Sequence, residues 1–105
     1  NERLDGRYNS FLMTDTGDLI SGAMGPHILR LFPSVKTYRI VQEDRLRIVI
    51  SIVPKENFGE EDRCLITNLF AKHLGSRMRI VIETVPSIPV PPSGKYVFVV
   101  NRCLS

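Results

Sequence analysis

Residues 93–95 are the first of two places in the 105-residue sequence where side chains could do chemistry rather than support a fold. Lys95 follows Ser93 and Gly94, after a proline-rich stretch at residues 86–92. Stiff prolines and a permissive glycine could aim a flexible cation away from a sheet. The ammonium of lysine is a compact point charge that suits phosphate or carboxylate. From the residues alone, a lysine in an ordinary turn is the simpler interpretation.

The second place is the Gly6-Arg7 step within residues 5–10, just before the first predicted strand. From the residues alone, an unstructured chain end is the simpler interpretation. Residue 1 is Asn rather than Met, and we expect the chain to be part of a longer protein. Residues 1–10 are therefore predicted to be a linker and residues 11–105 a single domain.

Other combinations of reactive residues have simpler structural explanations. Gly22 and Gly25 lack the lysine of a phosphate-binding loop. His27 and His73 have no second ligand at metal-binding spacing, so no metal site is predicted. The carboxylates at residues 60–62 favour a helix start, where the helix dipole stabilises negative charge.

Cysteine usage and charge limit the classes of partner. Cys64 and Cys103 lack a Cys-x-x-Cys spacing, so we expect free thiols in a reducing cytoplasm. The chain carries 14 Lys+Arg against 11 Asp+Glu, scattered through both halves. No apolar run approaches the roughly 18 residues of a membrane span, so no membrane partner is expected. A nucleic-acid partner is also not expected, because no basic stripe with interleaved aromatic residues is present.

Two pairs of arginines alternate with other residues on predicted strands. Arg45 and Arg47 form one pair, and Arg77 and Arg79 form the other. Alternate residues of a strand point to the same face of a sheet, so each pair is expected to share a face. A solvated sheet face is the simpler interpretation, and a phosphate-contacting patch is the alternative.

Hydropathy and turn signals predict six strands and two helices, of which four strands and one helix lie in the first and last parts of the domain. Residues 11–14 and 19–21 flank a polar turn and predict a β-hairpin. Pro26 can open a short helix, which we expect to continue to Phe32 and to stop before Pro33. Residues 78–85 and 96–100 predict two further strands on either side of the proline-rich stretch.

The middle of the chain predicts a strand hairpin followed by a longer helix. Residues 35–42 and 46–53 read as antiparallel strands, joined by a turn at residues 43–44. A helix is expected from Glu60 to a C-cap at Gly75. Its apolar face is predicted from helical spacing to contain Leu65, Ile66, Leu69, Phe70 and Leu74. The predicted fold class is α+β: a small, mostly antiparallel sheet with two helices packed on one face, plus the N-terminal hairpin.

Both reactive segments, taken with this element order, resemble one family. The chain is similar to the C-terminal mobile domain of adenylate-forming enzymes of the acyl-CoA synthetase type. The resemblance is to the branch of phenylacetate–CoA ligase, coenzyme F390 synthetase and capsular polysaccharide biosynthesis (CapK-like) proteins. It rests on the Gly6-Arg7 step, the Tyr-x-Ile-x-Gln pattern at residues 38–42, and the proline-containing loop with Ser93-Gly94-Lys95 before an apolar strand.

The resemblance implies a two-step ligase whose larger N-terminal adenylation domain would be the partner of this domain. ATP, with magnesium, and a carboxylic acid would give an acyl-adenylate, and coenzyme A or another acceptor would then displace AMP. Lys95 would be the catalytic lysine, with Ser93 and Gly94 as its supporting loop. Gly6, Arg7 and Asn9 would form the interdomain hinge. The isolated chain would bind no cofactor and show no turnover; a non-catalytic α+β module that binds a ligand or a protein is the alternative.

Overall fold

The computed structural model describes residues 11–90 and 97–103. The described elements are, in chain order, β1 (Phe11–Met13), β2 (Leu19–Ser21), α1 (Met24–Leu29), β3 (Val35–Asp44), β4 (Arg47–Pro54), α2 (Glu60–Leu74), β5 (Arg79–Thr84) and β6 (Val99–Asn101). Strands β1 and β2 pair as an antiparallel hairpin, and the other four strands form a sheet in the order β5-β4-β3-β6. The predicted α+β class, with two helices and an N-terminal hairpin, is confirmed.

The four-stranded sheet is mixed. Its two central strands, β3 and β4, are antiparallel as predicted, with Ile40 opposite Ile50. Both outer strands instead run parallel to their neighbours, β5 to β4 and β6 to β3. Helix α2 lies between β4 and β5 in the chain and returns the backbone to the end at which β4 began, which a parallel neighbour requires. The sheet is therefore less antiparallel than the sequence predicted.

One face of the sheet carries the main core. Alternate residues of β4, namely Ile48, Ile50 and Ile52, are fully buried and belong to the core cluster. Ile66, Phe70 and Leu74 of α2 pack against the same cluster at a spacing of four residues, which is one face of a helix. Leu65 was predicted on this face but is 47% exposed, because it lies one residue, or about 100°, away from Ile66.

Local signals explain where the elements begin and end. Helix α1 begins at Met24, two residues before Pro26, because a proline in the first turn lacks only an N–H that has no helical partner. It ends at Leu29 rather than Phe32, and tighter i to i−3 bonds from Leu31 and Phe32 close the segment before Pro33. The turn between β3 and β4 lies at residues 45–46, not 43–44 as predicted. There the Asp44 carboxylate accepts a bond from Leu46 N, which makes an Asx-type turn.

The two ends of the sheet differ in which strands begin and finish there. At the hairpin end, β3 and β6 finish while β4 and β5 begin, and the β1–β2 hairpin lies against it. At the proline end, β4 and β5 finish at Pro54 and Thr84 and β3 begins, while β6 begins about halfway along β3, where Val99 pairs with Ile40. Neither described helix is long and apolar enough to cross a bilayer.

Candidate functional site

The predicted site residues lie outside the described part of the chain. This applies to the hinge residues Gly6, Arg7 and Asn9, and to the loop residues Ser93, Gly94 and Lys95. Their roles stay predictions. Two described residues that adjoin these segments can be placed: Phe11 lies at the hairpin end, and Val97 precedes Phe98, whose carbonyl bonds to Ile40 about halfway along β3.

The proline end presents a shallow, open cavity. Its volume is about 410 Å³, and it is lined by Val53 and Pro54 at the end of β4 and by residues 84–86 beyond β5. Phe98, just before β6, stacks on Tyr38 with ring centroids 4.9 Å apart, and its carbonyl accepts a 2.7 Å bond from Ile40 N. These contacts attach β6, the outer strand that follows Lys95 in the sequence, to the central strand β3.

The hairpin end is built around two buried side-chain amides. Gln42 of β3 is fully buried and Asn101 of β6 is 4% exposed. The Gln42 amide accepts a 2.7 Å bond from Met13 N and donates a 3.0 Å bond to Met13 O, as a neighbouring strand would. Asn101 Nδ2 donates to Phe11 O at 3.1 Å and to Gln42 Oε1 at 3.0 Å. In the part of the chain that the structure describes, the hairpin shares no β-ladder with the four-stranded sheet, and these side chains attach it.

Asp15, in the hairpin turn, holds the other side of this end. Its backbone N–H donates to Leu74 O, the last carbonyl of α2, at 2.8 Å. Its carboxylate accepts a 3.1 Å bond from Arg77 N and lies 3.6 Å from Arg77 Nε. Its carbonyl accepts 3.3 Å bonds from the guanidinium groups of Arg45 and Arg77. The hairpin turn therefore clamps the connection between α2 and β5.

The two arginine pairs expected from the sequence, Arg45 with Arg47 and Arg77 with Arg79, do not form in the structure. Arg45 and Arg77 precede their strands and converge on Asp15, so they do not share a strand face with their pair-mates. Arg47 and Arg79 are instead opposite each other on neighbouring strands. The error comes from the strand starts: β4 and β5 begin at Arg47 and Arg79, so alternation does not extend back to residues 45 and 77.

Arg47 and Arg79 belong to the sheet face that faces away from the helices. The row beside them consists of valines that cross all four strands, namely Val81, Val49, Val41 and Val100. Val41 and Val49 are 8% exposed but lie outside the main core cluster. Arg39 lies on the far side of this row, opposite Ser51, whose hydroxyl donates to Glu83 at 2.7 Å.

Cys64 and Cys103 are both free thiols. Partial burial raises the pKa of the Cys103 thiol, and the nearby Asp44 carboxylate raises it further, while Arg45 opposes the shift. His73 Nδ1 lies 3.0 Å from Leu69 O within α2. Among residues 11–90 and 97–103, no group of three potential metal ligands comes together.

Sequence reasoning missed the roles of Asn101 and Asp15, although one signal was available. The alternation of Tyr38, Ile40 and Gln42 places a glutamine at a position that faces the core. A buried amide requires hydrogen-bond partners, so the pattern indicates a polar contact at the end of β3. It does not identify the partner, because Asn101 is 59 residues away.

The mixed four-stranded sheet, the helices on one face and the attached hairpin define a small α+β domain with two distinct ends. Comparison with protein-family models identifies its family: the model described as CapK C-terminal domain matches residues 12–102. The chain belongs to this family. Comparison with curated proteins and with solved structures finds no match.

Proposed function

We propose that this chain is the C-terminal lid domain of an adenylate-forming ligase. The observation that supports the proposal is the match to the CapK C-terminal domain over residues 12–102, a range that includes Lys95 and both ends of the sheet. The family description itself names no reaction. The ligase chemistry is carried over from the resemblance of the Gly6-Arg7 step and the Ser93-Gly94-Lys95 loop to the adenylate-forming enzymes.

In the proposed first step, a carboxylic acid attacks the α-phosphorus of ATP and pyrophosphate leaves. Negative charge builds up between the carboxylate and the phosphate oxygens. Lys95 would place its ammonium at this junction and neutralise the developing charge, which is where a fixed cation lowers a barrier most. ATP, with its magnesium, and the acid would be bound mainly by the larger N-terminal domain. Coenzyme A or another acceptor would then displace AMP.

The layout of the sheet suits such a lid. The proposed hinge joins the domain at the hairpin end, next to Phe11, while Val97 and Phe98 lead from Lys95 into β6. Closure of a small domain can complete a site only when substrate is bound, and it excludes water from the reaction. A hinge at one end would let a rotation of the whole domain bring Lys95 to the substrates or remove it.

The test is ATP–pyrophosphate exchange by the full-length parent protein across a panel of carboxylic acids. Lys95→Ala should lower the exchange rate by about 10²-fold or more, the size expected for losing one charge partner of the transition state. Transfer of the acyl group from a preformed adenylate should change much less. Lys72→Ala is the matched control, because Lys72 is an exposed lysine in the last turn of α2, at the hairpin end.

Two results would contradict the proposal in different ways. A wild-type parent that exchanges pyrophosphate with no acid would contradict the adenylating activity. An active parent in which Lys95→Ala matches Lys72→Ala, or in which both half-reactions fall equally, would contradict the role of the lysine.

The second candidate function is a non-catalytic module that binds an anionic ligand or protein. Arg47 and Arg79 lie side by side on the helix-free sheet face, and like charges in such positions repel unless a counter-charge lies close by. Glu43 meets part of this need, 3.6 Å from Arg47 Nε. Saturable binding that Arg79→Ala abolishes, in a parent without exchange activity, would favour this candidate.

A further inference from the structure

In the described residues, hydrogen bonds from side-chain amides connect the hairpin to the sheet in place of a β-ladder. Strand β1 pairs only with β2 in the described residues, and the four-stranded sheet ends at β6 on that side. Gln42 bonds to both the N–H and the carbonyl of Met13, while Asn101 bonds to the carbonyl of Phe11. We call these two residues the amide latch. Both side chains are almost fully buried, and they also bond to each other.

Attaching the hairpin through the amide latch carries a free-energy cost of burial. A buried amide costs free energy unless its polar atoms are hydrogen-bonded, whereas an apolar side chain of similar size would bury without that cost. What amides add is geometry, since each bond holds only in one position of the hairpin. A two-stranded hairpin of three-residue strands is marginal by itself, so its orientation depends on what holds it.

The position of the latch connects two distant parts of the chain. Phe11 follows directly on residues 1–10, and Asn101 ends the strand that follows residues 91–96, so one bond joins positions 90 residues apart. Gln42 reaches further, to the carbonyl of Arg45 in the β3–β4 turn. The hairpin, the central strands and β6 are thereby joined at one point.

We propose that Asn101 and Gln42 are positioning residues that make the hairpin and the sheet rotate as one rigid body. The inference rests on the proposed ligase function and adds the element that transmits hinge rotation to β6. Without the latch the sheet could tilt on the hairpin, and a misplacement of about 1 Å at a reacting group can cost about 10²-fold in rate.

The test is Asn101→Asp in the full-length parent. The introduced carboxylate keeps the shape and can still accept the 2.8 Å bond from Cys103 N, but it cannot donate to Phe11 O or Gln42 Oε1. The kcat of ATP–pyrophosphate exchange should fall about 10-fold or more, with the KM values for ATP and the acid unchanged, because only transition-state positioning is lost. Asn68→Asp is the matched control, with the same chemical change on the exposed side of α2.

A pH profile separates positioning from simple damage to the fold. Burial raises the pKa of a carboxyl group, and a protonated carboxyl can again donate one hydrogen bond. The activity of Asn101→Asp relative to Asn68→Asp should therefore recover as the pH falls from 8 to about 6. Gln42→Glu, which keeps an acceptor for Met13 N but loses the donor to Met13 O, should show the same trend and serves if the first variant does not fold.

Three outcomes overturn the inference. The first is an active parent in which Asn101→Asp matches Asn68→Asp. The second is a loss confined to KM, and the third is a loss that does not depend on pH. A wild-type parent without exchange activity would instead contradict the proposed function, so the two failures are distinguishable.

Discussion

Asp15 shows how one short side chain can organise a junction. It contacts the end of α2 through its N–H, the start of the β5 connection through its carboxylate, and two guanidinium groups through its carbonyl. The carboxylate is largely buried, while the Arg77 side chain is 68% exposed. Water screens an ion pair with so exposed a partner, so the backbone bonds to Leu74 and Arg77 contribute more than the ion pair.

Gly75 is the position at which this junction tolerates no side chain. Its φ is +106°, which favours glycine, and a Cβ there would overlap the Asp15 carboxyl group. Gly75→Ala should lower the free energy of unfolding by roughly 1–3 kcal/mol, since backbone strain and a displaced Asp15 act together. Chemical denaturation of the wild type and the variant measures the difference.

Gly59→Ala is the control for this prediction. Gly59 precedes α2 with φ −142°, and a Cβ there would meet no atom within 4 Å. It should cost no more than about 0.5 kcal/mol, the difference between glycine and alanine at an N-cap. Equal losses in the two variants would show that Gly75 acts only through helix propensity.

At the scale of elements, the sequence predicted the helices and strand pairs that depend on residues close together in the chain. Helix α2 and the β3–β4 pair follow from hydropathy periods and from the turn between adjacent strands. The parallel partners of β5 and β6 could not be predicted in this way, because ladder direction depends on where a distant strand inserts. The same limit applies to Gln42: alternation with Tyr38 and Ile40 is a signal for its burial, but no local pattern indicates its partner Asn101. The hinge residues and Lys95 stay predictions from resemblance, since they lie outside the described residues.

The N-terminus of α2 leaves room for an improvement in stability. Its N-cap, Gly59, has extended backbone and provides no side-chain bond to the first turn. Gly59→Ser should add a hydroxyl acceptor for a free N–H of that turn and stabilise the domain by a few tenths of a kcal/mol, about 1–2 °C in melting temperature. Differential scanning calorimetry against Gly59→Ala checks this; a serine variant that melts no higher than the alanine variant would contradict it.

At the scale of the whole molecule, the sheet separates the two proposed working ends. Strand β4 has eight residues, so the hairpin end and the proline end lie about 23 Å apart along it. A rotation about the hairpin end would therefore move the proline end much further than the hairpin itself. This separation suits a lid. It also explains why a small change of angle between the hairpin and the sheet, once the amide latch is lost, should displace the proline end by a larger distance.

Strand β5 forms one edge of the four-stranded sheet, and its outer side is not paired with another described strand. Arg63 of α2 donates a 2.7 Å bond to the carbonyl of Ile82 and lies 3.3 Å from the Glu60 carboxylate. An unpaired edge strand can template pairing with another chain, and a charged side chain on that edge prevents it. Arg63→Ala should therefore increase self-association, measured by sedimentation velocity over a concentration series. Arg30→Ala, which removes an exposed arginine after α1, is the control; the same sedimentation behaviour in both variants would contradict this role.

The bond between Asn101 and Phe11 also has a consequence for how the domain is made. It joins the first described strand to the last, and Val99 of that last strand fills part of the main core. During synthesis, the edge of β3 that pairs with β6 stays unpaired after β1 to β5 have been made, until residue 101 has left the ribosome. Contacts between such distant positions slow folding, because the chain loses loop entropy before it gains the contact. The nascent domain is thus most exposed to chaperones and proteases just before its last strand arrives.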